Sequence, residues 1–307
     1  MPLGYLGGET RVVKTVVSWV MALGLMACSQ SPTLSPAIAD PPADKTNPAS
    51  SFAFTIPSGS GAMNAMLYTA SGAGPHPTVL LLHGFAGNEQ NLDLAQAARR
   101  SGWNVLTLHY RGTWGSAGGF SFVGAADDVR AAIAFLSEAR VARQYSIDPL
   151  RIAIVGHSMG GMMGADAAAD DRRVNGLFLI DPWDMSAAAK ELETTEGAKA
   201  WHEEMVVDQP ALSGTDEATL AAEMRSTAGR FDLGRRLRVY GRRPLDIVSA
   251  QDGNGPANSL ILNALRASEN PTATGETWPT DHSFNDRRIA LSERLVAWLT
   301  RLPKPKT

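Results

Sequence analysis

Cysteine is almost absent. Cys28 is the only one in 307 residues, which excludes an intrachain disulfide and a thiolate metal cluster. Neither sign of charge dominates: Lys and Arg total 28 against 31 Asp and Glu, a formal net charge of −3. That balance argues against a dedicated binder of nucleic acid or of an anionic membrane. The mostly apolar stretch Thr15–Ala27 has 13 residues, too few for the ~20 of a membrane-spanning helix. What is present is an ordinary globular balance, 44% hydrophobic and 19% charged. It suits one large domain, or one domain with an insertion.

The short apolar stretch fits the h-region of an export signal, with Arg11 and Lys14 as its positive flank. It ends Leu25-Met26-Ala27-Cys28, which resembles the lipobox of bacterial lipoproteins, where the cysteine is acylated and becomes the new N-terminus. Ala37-Ile38-Ala39 offers an alternative A-x-A cleavage site further along. The expectation is a lipoprotein-type signal over residues 1–28, a cell-envelope location and membrane contact through lipid at Cys28 only. A periplasmic or secreted protein is the alternative. Residues 29–50 are rich in Pro, Ser and Ala and read as a disordered tether.

From residue 51 strand and helix patterns alternate. Ser51–Ile56 and Ala62–Thr69 alternate apolar and polar residues around a Gly-rich turn, which predicts a hairpin. Pro77–His83, Trp103–Tyr110, Arg151–Val155 and Val174–Ile180 read as strands, and Pro244–Ala250 and Glu276–Trp278 as later ones. Asn91–Arg100, Gly124–Arg143, Gly160–Ala169 and Arg287–Leu302 carry helical spacing. Such alternation implies right-handed crossovers and an α/β fold: a mostly parallel central sheet flanked by helices. Between about residues 183 and 243 only helical patterns occur, Ala187–Val207 and Glu217–Thr227 among them. An insertion at the C-terminal edge of a parallel sheet lies over the ligand crevice, so this segment is expected to form a helical cap. Arg235, Arg236, Arg238, Arg242 and Arg243 crowd its end and read as a solvated face with snorkelling side chains.

The chemistry is carried by Gly156-His157-Ser158-Met159-Gly160-Gly161, a G-x-S-x-G placed after a strand and before a helix. The turn is so tight that side chains two residues before and after the serine would clash. It lifts the Ser158 hydroxyl off the sheet edge, at a helix N-terminus that favours developing negative charge. A serine hydroxyl needs an adjacent base. In the chain order Ser, acid, His the base must follow the nucleophile, which leaves His202 and His282 of six histidines. His202 lies in Trp201-His202-Glu203-Glu204, a solvated helix face, whereas His282 lies in a loop between the last strand and the last helix. His282 is the expected base. Asp252, just past the end of the Leu245–Ala250 strand, is the expected acid orienting it, with Asp181, after Ile180, as its rival. Met159, next to the nucleophile, and Phe85, in His83-Gly84-Phe85-Ala86-Gly87, are the expected backbone donors of an oxyanion hole. Trp114 and Trp183 are candidates for lining an acyl pocket.

Together the His83-Gly84-Phe85 loop, the Arg111-Gly112 turn, the elbow around Ser158, Asp252 and Asp281-His282 resemble the α/β-hydrolase superfamily over residues 51–302. The subgroup most similar is that of serine aminopeptidase-like and monoacylglycerol-lipase-like hydrolases. The resemblance implies a Ser-His-Asp triad, no metal and no organic cofactor. The expected function is cleavage of a small-molecule carboxylic ester through an acyl-enzyme. The alternatives are a thioesterase or serine peptidase of the same fold or, from another class, a catalytically silent binding protein of the envelope.

Overall fold

A computed structural model describes residues 35–303. The expected signal segment, Cys28 and the residues after 303 lie outside the described residues. Eight strands form one sheet in the order β1-β2-β4-β3-β5-β6-β7-β8. The hairpin β1 (Ser50–Ser58) and β2 (Gly61–Thr69) is antiparallel and joins β4 (Asn104–His109) antiparallel. All remaining pairings are parallel: β4 with β3 (His76–Leu82), then β5 (Ile147–His157), β6 (Val174–Ile180), β7 (Leu245–Asp252) and β8 (Thr274–Asp281). β3 is buried along its whole length, as a strand covered on both faces must be.

Two apolar layers cover the sheet. On one face α1 (Leu92–Arg100) and α10 (Arg288–Arg301) pack Leu94, Leu291, Leu295 and Trp298 against Val79, Val155 and Phe178. On the other, α2 (Phe122–Ser137), α3 (Ala139–Gln144) and α4 (Met159–Asp170) enclose a larger core. The single helix expected over Gly124–Arg143 is thus two, broken at Glu138, whose extended backbone (ψ 127°) ends α2. α9 (Gly255–Ala267) follows β7; the sequence reading gave no helix there.

The cap consists of α5 (Met185–Glu191), α6 (Thr195–Asp208), a 3-10 turn, α7 (Glu217–Thr227) and α8 (Leu233–Tyr240). Each of its four α-helices starts at a side-chain cap: Asp184, Thr194, Asp216 and Asp232 accept from the N–H two or three residues on. Thr194 divides the helix expected over Ala187–Val207. The arginine cluster is less solvated than its sequence suggests. Arg236 pairs with the buried Asp166 and with Asp170 of α4, and Arg243 lies over the Tyr240 ring and donates to the Ala168 and Val174 carbonyls.

The tether reading is corrected over its described part. Arg100 donates from Nε to Pro36 O at 2.6 Å and from Nη2 to Ala37 O at 2.9 Å, and Gly72 N–H bonds to Asn47 O. Residues 35–49 therefore lie along the domain instead of hanging free. No described helix is long and apolar enough to cross a membrane.

Candidate active site

Ser158 sits between β5 and α4 at φ 54°, ψ −120°, a conformation that an L-residue adopts only under strain. The glycines on either side explain how the bend closes. A Cβ on Gly156 would lie 2.5 Å from Gly160 O, and one on Gly160 would lie 2.5 Å from the carbonyls of Leu82 and His83. The bend is anchored to the next strand by Ser158 N–H to Ile180 O (2.9 Å) and by Trp183 N–H to Ser158 O (3.1 Å).

That second strand carries the acid. Asp181, directly after β6, is fully buried and also has positive φ (42°). Its Oδ2 accepts from His282 Nδ1 at 2.5 Å, and the carboxylate also accepts from the N–H groups of Ala250 (3.0 Å) and Asn254 (2.9 Å). Three donors thus surround the buried carboxylate and fix its orientation. The expectation of Asp252 is therefore corrected. Its side chain is exposed, and the strand register slips between Ala250 and Asp252. The turn after β7 folds back over Asp181, so it supplies N–H groups where the sequence suggested a carboxylate.

His282 is brought to the serine's edge by its neighbours. His157 Nε2 donates to His282 O at 2.9 Å, and the two rings lie 4.7 Å apart. With Nδ1–H committed to Asp181, the neutral imidazole presents Nε2 as a lone-pair acceptor. Among the described residues no hydrogen bond joins that nitrogen to the Ser158 hydroxyl; such contacts often tighten only in the substrate complex. His157 itself is held neutral: burial lowers its pKa to about 4, and the nearby His282 adds to the effect. His202, set aside from the sequence, indeed lies on the cap, bonded to Glu217.

The loop after β3 closes the other side. A Cβ on Gly84 would lie 3.0 Å from Ser158 Cβ, so this loop abuts Ser158, while Met159 opens α4 and is fully buried. His83 braces this loop: its Nδ1 donates to Gly84 O at 2.7 Å, and burial lowers its pKa to about 4. The Phe85 ring packs against Phe120, Phe122 and Trp201 at 5.6–5.8 Å. Trp183 contacts Phe122 at 5.9 Å and, through its N–H, the serine backbone. Trp114 is 46% exposed and its Nε1 donates to Ala86 O at 2.9 Å; it serves as a strut for the loop more than as a pocket wall. The aromatic contacts of Phe120, Phe122 and Trp201 carried no signal in the sequence beyond ordinary core spacing. No group of three His, Cys, Asp or Glu side chains among the described residues is placed to hold a metal.

The comparisons with known proteins concern the fold around this geometry. The model of the α/β hydrolase fold matches residues 77–280, and the chain belongs to that family. The match stops two residues short of His282. An uncharacterised protein of Mycobacterium tuberculosis is 38% identical over 117 residues, which span 38% of this chain and 39% of that protein. Among solved structures, Est1E from Butyrivibrio proteoclasticus with ferulic acid bound superposes with a TM-score of 0.63 at 16% identity, covering 81% of this chain and 98% of that one. EstE1, a carboxylesterase from a metagenomic library, gives 0.57 at 22% identity over 87% of this chain and 92% of its own. At these identities the superpositions speak for the fold.

Proposed function

We propose that the protein is a serine hydrolase of carboxylic esters, with Ser158 as nucleophile, His282 as general base and Asp181 as the orienting acid. The observation that carries this reading is the buried Asp181 carboxylate on His282 Nδ1 at 2.5 Å, one strand away from a strained serine on a glycine bend. The Ser158 oxygen attacks the ester carbonyl as its proton passes to His282 Nε2. Asp181 keeps the imidazole in the Nδ1–H tautomer and stabilises the imidazolium. The backbone N–H groups of Phe85 and Met159 receive the oxyanion. The imidazolium then protonates the leaving alcohol, and the freed base activates water to hydrolyse the acyl-enzyme. Esterases among the structural neighbours agree with this choice of bond.

A fluorophosphonate probe tests the reading. Wild-type protein should label and should turn over short-acyl p-nitrophenyl esters, and Ser158→Ala should do neither. Labelling that persists in Ser158→Ala places the nucleophile elsewhere.

The proposal extends to location: export, with lipid on Cys28. Cys28→Ser should lose incorporation of an alkyne-tagged palmitate and move to the soluble fraction of expressing bacteria; unchanged tagging refutes it.

A further inference from the structure

We infer that Asp208, at the end of cap helix α6, is a positioning residue for the oxyanion loop, so that the cap takes part in stabilising the tetrahedral intermediate. The inference rests on the reading of Phe85 as an oxyanion donor in an ester hydrolase.

The loop between β3 and α1 has no regular structure of its own, and its course past Ser158 is set by what grips it. Asp208 is 7% exposed, and its Oδ1 accepts from Asn88 Nδ2 at 3.0 Å. The N–H of Ala86 also stabilises its charge, against the burial that pushes its carboxyl upward. Trp114 grips the same residue from its other side, through Ala86 O. The loop just after Phe85 is thus held at Ala86 O by Trp114 and at Asn88 by Asp208.

The two grips belong to one assembly. Trp114 N–H bonds to Ala211 O and Ser213 N–H to Gly112 O, and a β-bridge joins Thr113 to Leu212. The end of α6, the segment after it and the Arg111–Ser116 turn therefore form a single bracket around the loop. Trp201, seven residues before Asp208 on α6, stacks on the Phe85 ring at 5.8 Å and 28°. A backbone donor stabilises an oxyanion only if it is held where the charge develops. Here the residue before the donor is packed on Ser158, and the loop after it is fixed at Ala86 by Trp114 and at Asn88 from the cap.

The test reads two quantities: kcat and KM for a short-acyl p-nitrophenyl ester, and the affinity of a trifluoromethyl ketone. In the ketone adduct the serine oxygen bonds to the carbonyl carbon, its proton passes to His282 and the carbonyl oxygen becomes the oxyanion. Asp208→Ala should lower kcat and ketone affinity together by about 10- to 100-fold, the scale of a misplaced catalytic group, with KM nearly unchanged. Asp208→Asn keeps a carbonyl acceptor for Asn88 and should recover part of the loss. Asn88→Ala added to Asp208→Ala should cost little more. Should Asp208→Ala fail to fold, Trp114→Phe removes the opposite grip at an exposed residue and should show the same paired loss. Unchanged kcat and ketone affinity in folded variants that still label at Ser158 overturn the positioning role alone. A wild type that does not label sinks the ester-hydrolase reading, and this one with it.

Discussion

Gly253 lies so close to Asp181 that a Cβ built on it would sit 2.2 Å from the carboxylate Oδ2. The turn after β7 is moulded onto the acid, with Ala250 and Asn254 donating from either side of that glycine. Gly253→Ala should therefore displace the carboxylate from His282. We expect a loss in kcat of about 10- to 100-fold and a stability cost of about 1–3 kcal/mol. Steady-state kinetics and urea denaturation check both, and a variant with wild-type kcat contradicts this account of the turn.

The two acids are separated by a pair of amide substitutions. Asp181→Asn offers an NH2 or a weaker acceptor to His282 Nδ1 and favours the wrong tautomer, so kcat should fall by about 10⁴-fold. Asp252→Asn changes an exposed side chain and should leave kcat within about twofold, as surface changes do. The opposite ranking would restore Asp252 to the role read from the sequence.

Buried histidines make stability depend on pH. Burial lowers the pKa of both His83 and His157 from 6.5 to about 4. Between those values the unfolded chain binds more protons than the folded one, so stability is complete above pH ~6.5 and declines as pH falls toward ~4. The ceiling is about 3 kcal/mol for each histidine. Denaturant melts at pH 7, 6, 5 and 4.5 should show the decline, and His157→Gln should flatten it by about half. A slope unaltered by that substitution would mean that His157 is not one of its sources.

Strain at Ser158 is measurable with two variants. At φ 54°, ψ −120°, Ser158→Ala keeps the Cβ strain and Ser158→Gly releases it. The glycine variant loses more chain entropy on folding, about 0.5–1 kcal/mol, against a strain of about 1–3 kcal/mol. Ser158→Gly should be the more stable of the two by roughly 1 kcal/mol in urea unfolding. Equal or reversed stabilities would mean that the bend is relaxed.

Most of the scaffold was legible because burial on both faces writes continuous apolar strands: Val174–Ile180 is read and observed with the same bounds. The elbow was legible because only glycine tolerates the contacts at 156 and 160, and His282 because chain order left few histidines. The acid was not. β6 and β7 are parallel neighbours whose ends open on the same edge, so their terminal aspartates are equivalent in sequence. The slip after Ala250, which turns Asp252 outward, is a property of pairing and not of composition. The breaks at Glu138 and Thr194 were hidden for a different reason: apolar spacing runs on through a helix end that one residue's backbone decides. Arg100, by binding Pro36 and Ala37, orders a segment whose composition alone suggests a loose chain.

The cap begins two residues after Asp181 in the chain, and this makes cap exchange asymmetric. Trp183 N–H bonds to the Ser158 carbonyl, and Asn258 Nδ2 bonds to Pro182 O. A chimera joined at Pro182–Trp183 would put its junction on the contact to Ser158 and one residue from Asp181. At the exit the chain is held by Asn270, through the carbonyls of Gly241 and Arg243, contacts remote from the chemistry. Grafted specificity modules should accordingly keep residues 181–184 of the recipient and vary freely only beyond them.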